Sequence, residues 1–368
     1  MKNFTADEVL KIAKRHNNNK RAYLLVNPLQ GKHLAVSPTA ALEMMKTLGD
    51  KVALKYPAAK LVIGFAETAT AIGAMVAASL ENCIYIQTTR ENFGGNFIEF
   101  LEEHSHAPQQ KLYAGNLADW INATETIIFV DDELSTGKTL RNMIRQLKNI
   151  YPNLNGRKLV AASIINRLTA ENEKLLELDG ITCEFLVKLR EENFDVSNFE
   201  TAAPKILNSE KISLEKISFS NVNFKFNPRF GVNIHEYIKT LEKLGGEVAN
   251  LIQDKKSILV LGTEESMLPA ILTGKILENG GAKVFTHSTT RSPIGVCSQK
   301  NYPITEGYQL KSFYDSARTT FIYNLQYYDA VFVISDAANF QIGAVKNLVA
   351  ALNIHGCEKI IFVGGKNV

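Results

Sequence analysis

Long apolar runs are missing from this sequence. No stretch approaches the roughly 18 apolar residues that a bilayer-spanning helix needs, so no membrane segment is expected. Cysteine is scarce: Cys83, Cys183, Cys297 and Cys357 lie far apart and form no CxxC pair, a pattern of reduced, mostly buried thiols in a cytoplasmic protein. An excess of one charge is also absent. A net charge of +3 is too small to argue for a nucleic-acid or membrane surface. The N-terminus carries Asp7, Glu8, Lys11, Lys14 and Arg15 on an expected amphipathic helix and lacks the apolar core of a signal peptide. With 45% hydrophobic and 21% charged residues the composition is that of a soluble globular protein, and 368 residues are enough for two domains.

What is present is one dense stretch, Thr126 to Leu140. Ile127 to Val130 is a short apolar run that reads as a buried parallel strand. Asp131, Asp132 and Glu133 place three acids at its carboxyl end, where open α/β sheets hold their ligands. Ser135, Thr136, Gly137, Lys138 and Thr139 form a small-residue turn into a helix towards Ile150, with Leu140, Met143, Ile144 and Leu147 on one face. Such a turn presents backbone N–H groups and hydroxyls to a phosphate dianion. The carboxylates one turn earlier accept from vicinal hydroxyls, so the two parts together suit a 5-phosphorylated ribose. Gly137-Lys138-Thr139 also reads as the tail of a Walker A loop, but that motif needs glycine at position 132, which is Asp. Clustered acids there would repel a triphosphate. The plain alternative is a capped helix after a strand, with solvated acids. The stretch resembles the phosphoribosyl pyrophosphate (PRPP) motif of type I phosphoribosyltransferases: apolar strand, two acids, then a Thr-Gly-x-Thr loop.

Around this stretch, strands alternate with helices. Strands are expected at Tyr23 to Val26, Lys60 to Phe65, Asn82 to Gln87, Lys158 to Ile165 and Ile181 to Leu189; a long polar segment runs from Glu91 to Asp119. The alternation argues for parallel sheets with helices on both faces. The second half repeats the plan. Asn27-Pro28-x-x-Gly31 is answered by Asn227-Pro228-x-x-Gly231, and Leu61-Val62-Ile63-Gly64 by Leu259-Val260-Leu261-Gly262. Thr88-Thr89-Arg90 is answered by Thr289-Thr290-Arg291, and Phe129-Val130-Asp131-Asp132 by Val333-Ile334-Ser335-Asp336. Four landmarks keep their order at offsets of 198 to 204 residues. The expected fold is therefore two related Rossmann-like α/β domains, 1–210 and 211–368, joined in the polar stretch around Pro204. The second keeps Asp336 but has no Ser/Thr-Gly-x-Thr loop, so it is a degenerate copy.

Other residues are candidates by position. Glu67, Thr68, Ala69 and Thr70 follow an early strand and open a helix, a place for backbone groups to cradle pyrophosphate; the competing reading is a helix cap by Thr68 or Thr70. Arg90 leaves a strand end, where a guanidinium can pair bidentately with pyrophosphate or stand solvated. Glu103, His104 and His106 lie in a segment suited to closing over substrate; they lack a third ligand at metal-binding spacing. Lys32 and His33 are candidates for touching phosphate or nucleobase. Arg229, Glu264, Thr290, Arg291 and Ser292 are candidates for a second pocket at the corresponding strand ends.

Nearly the whole chain resembles a bacterial family in which an orotate-phosphoribosyltransferase-like domain is fused to a C-terminal TRSP domain, named for the motif present here as Thr290-Arg291-Ser292-Pro293. That resemblance implies a type I phosphoribosyltransferase fold and a place in tellurium-resistance and stress gene clusters that make a nucleoside-like metabolite. The implied enzyme is a Mg²⁺-dependent phosphoribosyltransferase acting on PRPP or a ribonucleotide and a small base-like acceptor, with homodimers common among relatives. Asp131 and Asp132 are then the ribose and metal residues, with Glu133 a candidate base and Arg90 on the leaving pyrophosphate. The alternative is a PRPP- or nucleotide-binding regulator without catalysis, since fold does not fix function.

Overall fold

The alternation of short apolar strands and amphipathic helices resolves into two parallel sheets in the computed structural model, which describes residues 2–16, 22–100, 110–190, 194–215, 217–222, 225–252 and 257–366. The chain begins with α1 (Ala6–Val9), β1 (Lys11–Lys14), β2 (Tyr23–Val26), α2 (Pro38–Lys55), β3 (Leu61–Gly64), α3 (Thr70–Ala78) and β4 (Ile84–Gln87). Next come β5 (Phe97–Phe100), β6 (Gln110–Tyr113), α4 (Leu117–Asn122), β7 (Thr126–Leu134), α5 (Lys138–Ile150), β8 (Lys158–Asn166), α6 (Ala170–Leu178) and β9 (Ile181–Lys188). Then follow β10 (Lys205–Ile206), β11 (Ser218–Asn221), β12 (Val232–Asn233), α7 (Ile234–Ala249), β13 (Ser257–Gly262), α8 (Leu268–Asn279) and β14 (Lys283–Ser288). The last elements are β15 (Gly307–Lys311), β16 (Thr319–Tyr323), β17 (Ala330–Asn339), α9 (Ile342–Ile354) and β18 (Ile360–Lys366). Among the described residues no helix is long and apolar enough to cross a membrane.

Packing divides the chain into two compact units. Unit 1 comprises Met1–Ala6, Leu42–Glu192 and Phe226–Lys239; unit 2 comprises Asp7–Ala41, Asn193–Lys225 and Thr240–Val368. The division thus departs from a single cut at 210/211: residues 7–41 pack with the later half and 226–239 with the earlier one. Edge pairing accounts for it. β12 bonds antiparallel to β4, with Val232 opposite Tyr85, while Val36 bridges Thr286 in β14.

Unit 1 is built on the sheet β12-β4-β3-β7-β8-β9, parallel throughout except for β12. Leu61, Ile63, Ile127, Phe129, Leu159 and Ala161 from its strands pack with Leu140, Met143, Ile144 and Leu147 of α5 in one core cluster. Unit 2 has the parallel sheet β11-β18-β17-β13-β14, beside the β10-β15-β16 and β1-β2 sheets. Its edge strand beyond β18 is β11, which precedes the sheet in sequence, whereas unit 1 uses β9, which follows.

The repeat read from the sequence recurs in individual hydrogen bonds. Thr88 N–H donates to Gly64 O at 2.9 Å and Thr289 N–H to Gly262 O at 3.0 Å. Ala66 N–H donates to Thr88 Oγ1 at 2.8 Å, and Glu264 N–H to Thr289 Oγ1 at 3.0 Å. Asn27 Oδ1 accepts from Leu29 N–H and Asn227 Oδ1 from Arg229 N–H, each turn closing on a glycine at positive φ, Gly31 or Gly231.

Two expectations change. The amphipathic helix expected near residues 7–15 is only the four-residue α1, followed by β1, which pairs Lys11–Lys14 with β2; this cross-strand pairing overrides the helical charge spacing. The described parts of the polar segment after Glu91 include the antiparallel pair β5-β6 and the start of α4. The four cysteines are free thiols, and burial pushes Cys83 up to about 12.

Candidate active site

β7 carries its acids past the end of β3, whose pairing stops at Val130, while β8 stays paired beside them as far as Leu134. Asp131 lies opposite Ser163 in register, and its Oδ1 accepts from Asp132 N–H at 2.9 Å. Burial, then the neighbouring Asp132 carboxylate, push Asp131 well above the usual carboxylate range. Thr68 donates its hydroxyl to Asp132 Oδ1 at 2.8 Å, which joins the loop after β3 to the acid pair. Glu133 stands 3.5 Å from the Arg167 guanidinium, an ion pair that occupies the candidate base.

The turn after β7 has the form a phosphate loop needs. Gly137 is the N-cap of α5 at φ +67, a left-handed conformation that glycine adopts without steric cost. A Cβ there would also stand 2.6 Å from Leu176 Cδ1. Ser135 and Thr139 are half-buried, Thr136 and Lys138 exposed. Leu140, Met143, Ile144 and Leu147 are buried as their spacing predicts, and they fix α5 so that its N-terminus meets the strand end.

Glu67, Thr68, Ala69 and Thr70 lie between β3 and α3, and the Ala66–Glu67 peptide is cis. The capping alternative does not hold: the N-cap of α3 is Ala69 with no side-chain cap bond, and Thr68 turns to Asp132 instead. Arg90 is exposed just past β4, after a turn in which Thr89 Oγ1 accepts from Glu91 N–H at 3.0 Å. β7, the β3–α3 loop and the end of β4 thus converge at neighbouring strand ends.

Other candidates are placed elsewhere. Lys32 and His33 belong to unit 2; Lys32 is fully buried and its ammonium donates to the carbonyls of Glu264 (2.5 Å) and Thr289 (3.0 Å), so it serves as a backbone clamp instead of a phosphate or base contact. Glu103, His104 and His106 lie outside the described residues. Arg229, expected beside Glu264, packs in unit 1 with its guanidinium 4.7 Å from the Phe93 ring centre. The next residue, Phe230, meets Phe93, Phe97 and Tyr113 edge-on. Nothing in the sequence pointed to this aromatic group except the repeated Asn-Pro-x-x-Gly turn. In unit 2, Glu264 and Arg291 meet at 3.3 Å, and Ser292 N–H donates to Thr290 Oγ1.

Residues 9–190 match the family described as phosphoribosyl transferase (PRTase_2), and residues 227–352 match the TRSP domain that lies C-terminal to it. Comparison with curated proteins found no match. Similar solved structures include adenine phosphoribosyltransferase from Rhodothermus marinus, at 14% identity over 50% of this chain and 96% of that one, with a TM-score of 0.37. The enzyme of that name from Leishmania tarentolae matches at 18% identity over 50% and 85%, TM-score 0.35. Orotate phosphoribosyltransferase from Aeropyrum pernix matches at 14% identity over 49% and 88%, TM-score 0.30. With the PRPP-type motif inside the first match and the Thr-Arg-Ser-Pro motif inside the second, the chain belongs to the family that joins a PRTase_2 phosphoribosyl transferase domain to a TRSP domain.

Proposed function

We propose that unit 1 is a Mg²⁺-dependent phosphoribosyltransferase, moving a 5-phosphoribosyl group between PRPP and a small base-like acceptor with release of pyrophosphate, in nucleotide-like metabolism. One observation carries the reading: Asp131 and Asp132 lie side by side near the carboxyl end of β7, and a glycine at positive φ then opens α5. In this reading Ser135, Thr136, Gly137, Lys138 and Thr139 receive the 5-phosphate through backbone N–H groups and hydroxyls. Asp131 and Asp132 accept from the ribose hydroxyls. Glu67, Thr68, Ala69 and Thr70 line the pyrophosphate, and Arg90 neutralises it as it leaves. Cleavage of the anomeric C–O bond builds positive charge on the ribose, which the two carboxylates stabilise. Glu133, paired with Arg167, positions the strand end.

Asp131 and Asp132 are also the residues that would hold Mg²⁺. Two hard oxygen donors suit an ion that takes few carboxylates and completes its shell with substrate oxygens and water. When bound, the ion supplies charge neutralisation to the departing pyrophosphate.

Calorimetric titration of PRPP with and without Mg²⁺ tests this, alongside the Asp131→Asn/Asp132→Asn double variant. Mg²⁺-dependent binding that the double variant loses supports the site. Absence of binding by the folded wild-type protein removes the transferase reading. Tight binding with no pyrophosphate released across a broad panel of acceptors favours the regulator.

A further inference from the structure

The strand ends of unit 2 repeat three hydrogen bonds of unit 1 and carry a different residue at their centre. The position that is Ala66 in unit 1, fixed by its N–H bond to Thr88 Oγ1, is Glu264 in unit 2, fixed likewise by Thr289 Oγ1. Glu264 is fully buried, and its carboxylate is surrounded by donors. Oε1 accepts from the Ser312 hydroxyl at 2.7 Å and from Phe313 N–H at 3.1 Å. Oε2 lies 3.3 Å from Arg291 Nε and 3.6 Å from an Arg318 terminal nitrogen. Two guanidiniums, a hydroxyl and a backbone N–H closing on one anionic group is the donor set of an oxyanion site.

The equivalences extend to the donors. Arg291 follows Thr290 as Arg90 follows Thr89, each threonine Oγ1 accepting from the N–H two residues on. Arg90 is exposed, whereas Arg291 is held against Glu264 and 3.6 Å from Glu265. Ser312, Phe313, Tyr314 and Arg318 all come from the turn between β15 and β16, the counterpart of the β5-β6 pair: Thr290 bridges Phe321 as Thr89 bridges Lys111. Tyr314 from this turn donates to Asp336 Oδ1 at 2.5 Å, so the counterpart of Asp132 is occupied as well. Glu264 itself sits at φ +48, a left-handed conformation unusual for a residue with a Cβ, and Lys32 clamps its carbonyl.

We propose that unit 2 contains an oxyanion subsite permanently filled from within, the Glu264 carboxylate standing where a phosphate or carboxylate ligand would be held. The unit is then a closed copy and not a second transfer site. This stands whether or not unit 1 transfers phosphoribosyl groups.

Removing the occupant should open the site to an external anion. Glu264→Gly is the chosen change because glycine tolerates the positive φ and matches the small residue of unit 1. Thermal unfolding of the full-length wild-type, Glu264→Gly and Glu264→Gly/Arg291→Ala proteins would be followed in acetate, inorganic phosphate or pyrophosphate, against sodium chloride of equal ionic strength. The single variant should melt lower than wild type in chloride and recover with at least one oxyanion, the pattern of acetate against phosphate naming which anion fits. The double variant should need about tenfold more anion, or show no recovery, having lost a charge-assisted contact. Using the same unit 1 in both variants cancels any anion bound there. If Glu264→Gly does not fold in chloride, refolding yield in phosphate or acetate becomes the reading. Equal response of single and double variants, no recovery by any of the anions, or a wild-type response to oxyanion as large as that of Glu264→Gly each overturns the proposal.

Discussion

Asp131 and Asp132 leave one strand on consecutive residues, and burial together with its neighbour makes Asp131 reluctant to ionise. In the transferase reading, changing both to Asn keeps the shape, turns one acceptor oxygen of each into a donor and removes the charge. Turnover should fall by about 10²-fold or more while the thermal midpoint barely moves, as pyrophosphate-release assays and calorimetry would show. A second prediction concerns two buried histidines of unit 2. Burial, reinforced above all by the Lys32 ammonium, lowers His33 to about 3, and burial lowers His287 to about 4. Both rings are therefore neutral in the fold while the unfolded chain begins to take up protons near pH 6.5. The unfolded state then binds more protons, so stability should drop as pH falls from about 6.5 towards 4, by an order of a few kcal/mol. Urea unfolding across that range checks it, and His33→Gln or His287→Gln should flatten the profile.

At the scale of elements, β7, its turn and α5 act as one device whose geometry hangs on Gly137. Gly137→Ala imposes a Cβ at φ +67 and a 2.6 Å approach to Leu176. It should cost about 1–2 kcal/mol of stability and weaken ribose 5-phosphate binding several-fold, as paired thermal and calorimetric titrations would reveal. This element was readable in sequence because its parts are contiguous: an apolar run, acids, small residues and a helical face need no distant partner. The strand-for-helix exchange at Lys11–Lys14 was not readable, because its cause is pairing with Tyr23–Val26. The donors around Glu264 were partly legible. Arg291 showed through its motif, but Ser312, Tyr314 and Arg318 form an ordinary polar turn until the fold brings them to the strand end. Arg229 misled because the repeat gave its turn correctly but could not say which sheet the turn would join.

For the whole molecule, unit membership matters more than chain order. Residues 226–239 supply β12 against β4, and the Asn227 turn places Gly231 where a Cβ would come within 2.1 Å of Trp120. A fragment ending at residue 210 has the whole PRTase_2 match yet lacks this edge strand and the Phe230 ring. It should melt lower and aggregate more readily than a fragment ending at 239, an outcome that light scattering and thermal unfolding can compare.

Synthesis imposes its own order on such a molecule. Residues 7–41 are made before most of unit 1 but pack with a unit whose sheet is complete only with β18. At about 5–20 residues per second the earliest strand pair waits on the order of tens of seconds for its partners. Unit 1, needing nothing beyond residue 239, can mature during that interval. The nascent chain therefore carries the uncovered β1-β2 pair while unit 1 folds, and an early-made piece is among the last to be buried.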